Sequence, residues 1–214
     1  GGVTTGFSPL IMARAYSAFA NGGYLPQTHF IRKIVDATGK TVVDNTDNTK
    51  KRIIKASVAK TMTSMMLGTF KYGTGVSAAP DGYTVAGKTG STEVPSSWGY
   101  GTRDQWVVGY TPDMVVATWT GFSTTDKDHF LVGTSESGVA PIFKAEMSAM
   151  LPSSPQSAFD TKDAKSEASL QTPASSSSDS SDVWSNIQDG VQSGVDSAKS
   201  TVKKWYNDIK GLFN

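Results

Sequence analysis

The sequence predicts an α+β fold in which an antiparallel sheet is flanked by helices. Amphipathic helical patterns carry the first part of this prediction, and they cover residues 9–20, 57–72 and 138–150. Strand patterns fall together between the second and the third helix, and they cover residues 83–90, 105–110 and 114–122. Because helices and strands do not alternate one by one along the chain, their order argues against a parallel βαβ sheet.

The first half of the chain is predicted to hold a helix followed by a hairpin. Ser8 is a good N-cap and Pro9 suits the first helical position. Asn21-Gly22-Gly23 tolerates the positive φ of a helix end. Residues 30–43 alternate around the turn residues 36–40, which indicates a β-hairpin.

A polar stretch over residues 45–51 is expected to be a loop that leads to the second helix, residues 57–72. One face of that helix is apolar and rich in methionine; it holds Val58, Met62, Met65, Met66 and Phe70. A methionine stripe at this spacing is typical of a core. Gly73-Thr74-Gly75 ends the helix.

The three predicted strands follow, and their connections set the sheet order. Residues 83–90 form a strand with a glycine-rich end. Thr111-Pro112-Asp113 is a short turn between the second and the third strand, so these two strands are expected to be antiparallel neighbours. Gly138 precedes the last helix, and Pro152 ends it.

Composition divides the chain into three parts. Residues 1–151 are rich in Met, aromatic and β-branched residues and are expected to fold. Residues 152–182 are mostly Ser, Asp, Ala and Pro, and are expected to be a disordered linker. Apolar residues recur at three- and four-residue spacing over 183–214, which predicts an amphipathic C-terminal helix. Such a helix is either an interaction element or a partly helical tail.

Charge and composition exclude several functional classes. The 20 basic and 19 acidic residues give a net charge of +1, so no nucleic-acid partner is expected. The absence of cysteine excludes thiolate catalysis and Cys-based zinc sites. His29 and His129 lie far apart, so neither a metal nor a cofactor is expected. The chain opens on Gly1 without a signal sequence, which is typical of a cut inside a longer protein.

The strongest candidate for a functional motif is Lys88-Thr89-Gly90-Ser91-Thr92, predicted to lie at the end of a strand. A strand edge offers N–H and C=O groups to an extended peptide, and Gly90 removes a side chain where that peptide would approach. Thr89 and Ser91 hydroxyls can bind a carboxylate, and Lys88 supplies positive charge behind them. The N–H group of Ser91 is suited to stabilising an oxyanion. The alternative is a strand whose lysine happens to precede Thr-Gly.

Lys-Thr-Gly is the third signature of serine β-lactamases and penicillin-binding proteins, after Ser-x-x-Lys and Ser-x-Asn. The surrounding residues resemble bifunctional class A penicillin-binding proteins of a Gram-positive, streptococcal type. The stretches that carry the resemblance are 6–13, 15–16, 19–23, 62–66, 73–75, 106–112 and 119–121. The resemblance spans residues 1–151. It implies the C-terminal portion of a transpeptidase domain, with a serine β-lactamase or DD-peptidase-like fold present only in part.

The resemblance also implies roles for the motif residues. Lys88 and Ser91 would be catalytic, and the substrate-binding set would be Lys88, Thr89, Gly90, Ser91 and Thr92. Ser91 would bind the substrate carboxylate and complete the oxyanion hole. The family more often has threonine where this chain has Ser91, so the hydroxyl is kept and a methyl group is lost.

The nucleophile of this family is not expected within the chain. Ser57-Val58-Ala59-Lys60 fits Ser-x-x-Lys literally, but it precedes Lys88 by too few residues and no Ser-x-Asn occurs anywhere. We therefore interpret Ser57 as a helix N-cap and Lys60 as an exposed lysine. The partner implied by the resemblance is an N-terminal part of the same protein, which would carry Ser-x-x-Lys, Ser-x-Asn and a glycosyltransferase domain.

For the parent protein the resemblance implies a serine D-Ala-D-Ala transpeptidase that cross-links peptidoglycan stem peptides and is acylated by β-lactams, with the isolated chain inactive. The expected location is the outer face of the plasma membrane, with an anchor on sequence outside this chain. A β-lactamase or DD-carboxypeptidase is one alternative. A non-catalytic β-lactam sensor or wall-binding module is another.

Overall fold

A computed structural model of the chain describes residues 6–47 and 49–166. It contains the helices α1 (Pro9–Ala20), α2 (Ala56–Lys71) and α3 (Ala140–Met150). The strands are β1 (Tyr24–Pro26), β2 (Lys33–Val35), β3 (Thr41–Asp44), β4 (Lys50–Arg52), β5 (Ala86–Glu93), β6 (Gly101–Tyr110), β7 (Val115–Gly121) and β8 (Leu131–Val132). The predicted combination of helices with an antiparallel sheet is confirmed.

The central sheet has the order β5-β6-β7, with all pairs antiparallel and β8 added to the start of β6. In the part of the chain that the structure describes, β5 therefore has a strand on one side only. The predicted end of this strand at residue 90 is wrong, because the strand continues to Glu93. β6 begins at Gly101, earlier than predicted, so β5 remains paired from Ala86 to Glu93 and contains the whole motif.

Two hydrophobic clusters lie on opposite faces of this sheet, because side chains alternate along each strand. One cluster packs α3 against the sheet and includes Val107 and Phe143. The other packs α1 and α2 against the opposite face around Tyr110. Phe70, at the C-terminal end of α2, reaches the first cluster and lies 5.7 Å from the Phe143 ring.

The predicted hairpin is confirmed by the pairing of β2 with β3. Its turn is held by Asp36, whose carboxylate accepts N–H bonds from Thr38 and Lys40, and Gly39 supplies a φ of +87°. A second pairing, β1 with β4, was not predicted, because residues 50 and 51 were expected to lie in a loop. The guanidinium of Arg52 lies 4.0 Å from the centre of the Tyr24 ring and joins the two short strands.

Helix α2 differs in detail from its prediction. Its N-cap position is Lys55, so Ser57 lies inside the first turn, and its interpretation as the N-cap is wrong. Met66 and Phe70 are buried as expected, whereas Met65, predicted on the same apolar face, is 46% exposed. Lys60 is half-exposed, and its Nζ lies 3.7 Å from a carboxylate oxygen of Asp160.

Residues 152–166, predicted as the start of a disordered linker, instead belong to the same compact unit as the preceding chain. We call residues 155–166 the C-terminal strap. The strap packs on α2 and β6 because three side chains find partners there. The Phe159 ring lies 5.9 Å from that of Tyr110, Asp163 pairs with Lys71 at 2.7 Å, and Lys165 lies over the Tyr72 ring.

The predictions for residues 167–182 and 183–214 lie outside the described residues. Within the described ranges, every helix is too short or too polar to cross a membrane.

Candidate functional site

The motif residues alternate between the two faces of β5, which divides them into two groups. Lys88 and Gly90 pair with Val108 and Trp106, so they share the sheet face on which α1 and α2 pack. Thr89 and Ser91 pair with Val107 and Gln105 and therefore share the face of α3. The two groups nevertheless meet at the open edge of the strand, as the contacts of Lys88 show.

Lys88 is exposed, and its ammonium reaches round to the open edge of its own strand. Its Nζ donates to the backbone oxygen of Thr89 at 2.9 Å and lies 3.5 Å from Thr89 Oγ1. Among the described residues no carboxylate forms a salt bridge with it. An ammonium held only by backbone and hydroxyl oxygens remains able to bind an anion.

The backbone of β5 presents hydrogen-bonding groups to its open edge. The oxygen of Thr89 points there, because successive backbone oxygens alternate along a strand, and it accepts a hydrogen bond from Lys88 Nζ. The oxygen of Gly90 points the other way, towards β6, where Ser135 Oγ contacts both it and the Trp106 N–H group. Since the backbone alternates with a period of two residues, the N–H groups of Thr89 and Ser91 face the open edge.

Thr89 and Ser91 each contact a hydroxyl from another part of the chain. Thr89 Oγ1 lies 2.7 Å from Thr74 Oγ1 in the turn after α2. Ser91 Oγ lies 2.7 Å from Ser135 Oγ and accepts the Ser135 N–H bond at 3.0 Å. Neither Thr74 nor Ser135 was predicted to lie beside the motif. Both lie in short polar turns before an element of structure, where a hydroxyl is typical of ordinary turns and gives no separate signal.

Gly87 and Gly90 both lie in β5, but packing requires a glycine at only one of the two positions. A Cβ atom built on Gly87 would lie 2.1 Å from the Val108 backbone oxygen and 2.9 Å from Phe70, so packing requires glycine there. A Cβ atom on Gly90 would meet only the Cβ of Trp106, at an ordinary 3.6 Å. The described residues thus leave open space beside Gly90, and their packing does not explain its missing side chain.

Beside Gly90, two half-buried tryptophans, Trp106 of β6 and Trp119 of β7, lie next to each other on the sheet. The Trp106 and Trp119 rings lie 6.2 Å apart, and Trp119 Nε1 donates to Asp104 at 3.0 Å. Two cavities lie elsewhere in the described part of the chain. One of about 420 Å³ separates α2 from the strap, and one of about 530 Å³ adjoins α1 and Arg32. No motif residue lines either of these two cavities.

The side chains with clearly shifted pKa values lie outside the motif. Burial raises the pKa of Tyr110, and its hydroxyl is bonded to Thr63 Oγ1 at 2.7 Å. The hydrogen bond from Lys71 lowers the pKa of Asp163, with a further contribution from Ser166. In the described ranges, His, Asp and Glu side chains form no group of three that could hold a metal ion.

A family model described as the penicillin-binding protein transpeptidase domain matches residues 1–148. The chain belongs to this transpeptidase family. Penicillin-binding protein 2a of Streptococcus pneumoniae is 49% identical over 157 residues, which are 73% of this chain and 21% of that protein. Penicillin-binding protein 1F of Bacillus subtilis is 38% identical over 131 residues, which are 61% of this chain and 18% of that protein.

Among solved transpeptidase structures, PonA1 of Mycobacterium tuberculosis in complex with penicillin V is 28% identical, with a TM-score of 0.62. The match covers 72% of this chain and 41% of that one. The resemblance to class A penicillin-binding proteins of streptococcal type is confirmed by these relatives. The chain spans about a fifth of the length of the curated relatives it matches.

Proposed function

We propose that the chain forms the Lys-Thr-Gly wall of the active site in a peptidoglycan transpeptidase. The observation that carries this proposal is the open edge of β5. This edge carries the exposed ammonium of Lys88, the N–H groups of Thr89 and Ser91, and Gly90, whose missing side chain is not required by packing. The chain that carries them belongs to the transpeptidase family. An extended acyl peptide that lies along this edge would pair with the backbone as an added strand.

In the proposed reaction a serine from upstream sequence attacks the carbonyl between two terminal D-alanines. The peptide bond breaks, the terminal D-alanine leaves with a proton on its amine, and a serine ester remains. An amine of a second stem peptide then attacks the ester and releases the serine. Lys88 attracts the carboxylate of the donor peptide, Thr89 and Ser91 bind it, and the Ser91 N–H group stabilises the oxyanion.

The partners follow from this reaction. The chain would pack against an N-terminal part of the same protein that carries the Ser-x-x-Lys and Ser-x-Asn motifs and a glycosyltransferase domain. The substrates would be stem peptides at the outer face of the plasma membrane. β-Lactams would acylate the same serine, a proposal supported by the penicillin V complex of the related PonA1.

The test uses the full-length protein with a stem-peptide donor and a separate amine acceptor, followed by mass spectrometry of the products. A transpeptidase releases D-alanine and forms a cross-linked product that depends on the acceptor. Release of D-alanine without cross-linked product would instead indicate a carboxypeptidase. A second measurement incubates the same full-length protein with penicillin. If no covalent adduct forms, both activities are contradicted.

A further inference from the structure

Ser135 lies beside the motif although it is 44 residues away in sequence. It is 2% exposed and belongs to the turn between β8 and α3. Its hydroxyl contacts Gly90 O, the Trp106 N–H group and Ser91 Oγ, and its own N–H group donates to Ser91 Oγ. A small buried hydroxyl therefore connects β5, β6 and the candidate substrate-binding serine.

The direction of these hydrogen bonds follows from the number of protons. Ser135 Oγ has one proton, which it donates to the Gly90 carbonyl. In the short contact between the two serine hydroxyls, Ser91 must then be the donor and Ser135 the acceptor. Ser91 Oγ also accepts from the Ser135 N–H group, so two bonds to one residue fix its side-chain rotamer.

The turn that carries Ser135 is itself held in place. The N–H groups of Gly138 and Ala140 donate to Thr134 and Ser135 carbonyls at 3.0 and 2.9 Å. A Cβ atom on Gly138 would lie 1.9 Å from Oε1 of the buried Gln105, so the turn packs closely on β6. Ser135 is therefore supported by the sheet and not by a free loop.

We propose that Ser135 is a positioning residue that holds the Ser91 hydroxyl oxygen in place for an anionic ligand at the β5 edge. This inference rests on the proposed function. A serine has freer χ1 rotation than a threonine, because it lacks the second heavy atom on Cβ. At position 91, a threonine would restrict its own χ1 rotation through its branched Cβ atom. With serine there, the hydrogen bonds from Ser135 restrict the rotation instead.

The same geometry indicates how the hydrogen bonds of Ser91 would change when a carboxylate ligand binds. When a carboxylate arrives, only the proton of Ser91 turns from Ser135 Oγ to the ligand, and the oxygen stays bonded to the Ser135 N–H group. A hydrogen bond to a charged acceptor is stronger than one between two hydroxyls, so the exchange is favourable. Ser135 Oγ keeps its bonds to Gly90 and Trp106 throughout.

The experiment measures the noncovalent Kd and the acylation rate constant for a fluorescent penicillin in the full-length protein. Ser135→Ala leaves the Ser135 N–H group in place but removes the Oγ atom that ties its turn to Gly90 and Trp106. The Ser91 oxygen is then held less firmly, so Kd is expected to rise about tenfold, the size of one lost hydrogen bond, while the acylation rate constant changes less than about threefold. Ser91→Thr in the Ser135→Ala background should recover at least about half of that loss on a logarithmic scale, because β-branching restores the rotamer restriction.

Ser137→Ala is the matched control, because Ser137 lies in the same turn, is exposed and forms its side-chain hydrogen bonds with Thr134. It should leave Kd unchanged. If Ser135→Ala prevents folding, Ser135→Cys keeps a side-chain group at this position, weakens its hydrogen bonds and gives the same comparison. A Ser135 variant that matches the Ser137 control, or a loss that Ser91→Thr does not recover, would overturn the inference. A wild type that forms no penicillin adduct would overturn the proposed function, and the inference with it.

Discussion

At the scale of single residues, the candidate site depends on groups that are left without strong internal partners. Lys88 bonds only weak neutral acceptors among the described residues, and Gly90 faces open space there. In contrast, Lys71 and Lys144 are paired with Asp163 and Asp81. A lysine on a sheet edge without a carboxylate is placed for a ligand and contributes little to folding.

Replacing Lys88 should impair acylation while leaving the fold intact. Lys88→Ala removes one preorganised positive charge, so the acylation rate by penicillin in the full-length protein should fall on the order of 10²–10³-fold. Lys88→Arg should recover only part of this, since a planar guanidinium does not replace a compact ammonium. Lys127→Ala, at an exposed lysine paired with Asp128, is the control. A folded Lys88→Ala variant within about threefold of wild type would contradict the assigned role.

The two glycines of β5 should respond in opposite ways to alanine. Gly87→Ala places a methyl group against the Val108 backbone and should destabilise the protein by at least about 1–3 kcal/mol. Gly90→Ala meets no close atom and should change stability by less than about 0.5 kcal/mol, yet block a ligand at the strand edge. Thermal unfolding and penicillin acylation, measured on both variants, separate the two effects. A large loss of stability in Gly90→Ala would show that packing, and not a ligand, requires this glycine.

At the scale of elements, the sequence predicted those whose signals are local. The ends of α1 were predicted because Ser8 caps it and Asn21-Gly22-Gly23 ends it. The pairing of β1 with β4 was missed because it joins two three-residue strands whose paired residues are 24 to 28 positions apart in sequence. The end of β5 was misplaced because glycine and threonine resemble loop residues, whereas ten residues of β6 keep it extended.

The same distinction applies to the site. Residues 88–92 were found from their own sequence, since they form a contiguous motif. Thr74 and Ser135 reach the motif only through tertiary packing, which no spacing in the sequence encodes. The strap was missed because its composition is polar, although Phe159, Asp163 and Lys165 each find a partner on the folded unit.

The strap should make stability depend on pH through Asp163. Hydrogen bonds from Lys71 and Ser166 lower the pKa of this carboxyl in the folded protein. The ionised form is therefore favoured by folding, and its contribution to stability is present above the ordinary carboxyl pKa of about 4 and is lost as the pH falls towards the lowered value. Asp163→Asn should reduce Tm at neutral pH and flatten the acid side of the Tm profile.

Asp160→Asn is the control for that measurement. Asp160 is 82% exposed and lies 3.7 Å from Lys60, so its replacement should change Tm little at any pH. Equal profiles for wild type and Asp163→Asn between neutral and acid pH would show that the strap does not contribute to stability through this pair.

At the scale of the whole molecule, the proposed function makes the described residues one wall of a site whose nucleophile comes from another part of the same protein. Within these residues, Ser57 and Lys60 fit the Ser-x-x-Lys pattern of the nucleophile, but both make contacts unrelated to the motif. Ser57 lies in the first turn of α2, with its carbonyl accepting the Thr61 hydroxyl, and Lys60 is near Asp160 of the strap. These contacts join α2 to itself and to the strap, and they do not connect either residue to the motif as an activated serine would require.

This chain alone should therefore form no covalent penicillin adduct. Serine acylation needs an activated hydroxyl beside the oxyanion donors of β5, and the described residues offer Lys88 and the Ser91 N–H group without such a serine. The measurement is a denaturing gel of the isolated polypeptide after incubation with fluorescent penicillin, with the full-length protein as the positive control. The matched variant is Ser57→Ala in both chains. It should leave labelling of the full-length protein unchanged, because Ser57 contributes only a backbone carbonyl to α2. A labelled band from the isolated chain that disappears in Ser57→Ala would place the nucleophile at Ser57 and contradict the division of the site between two parts of one protein.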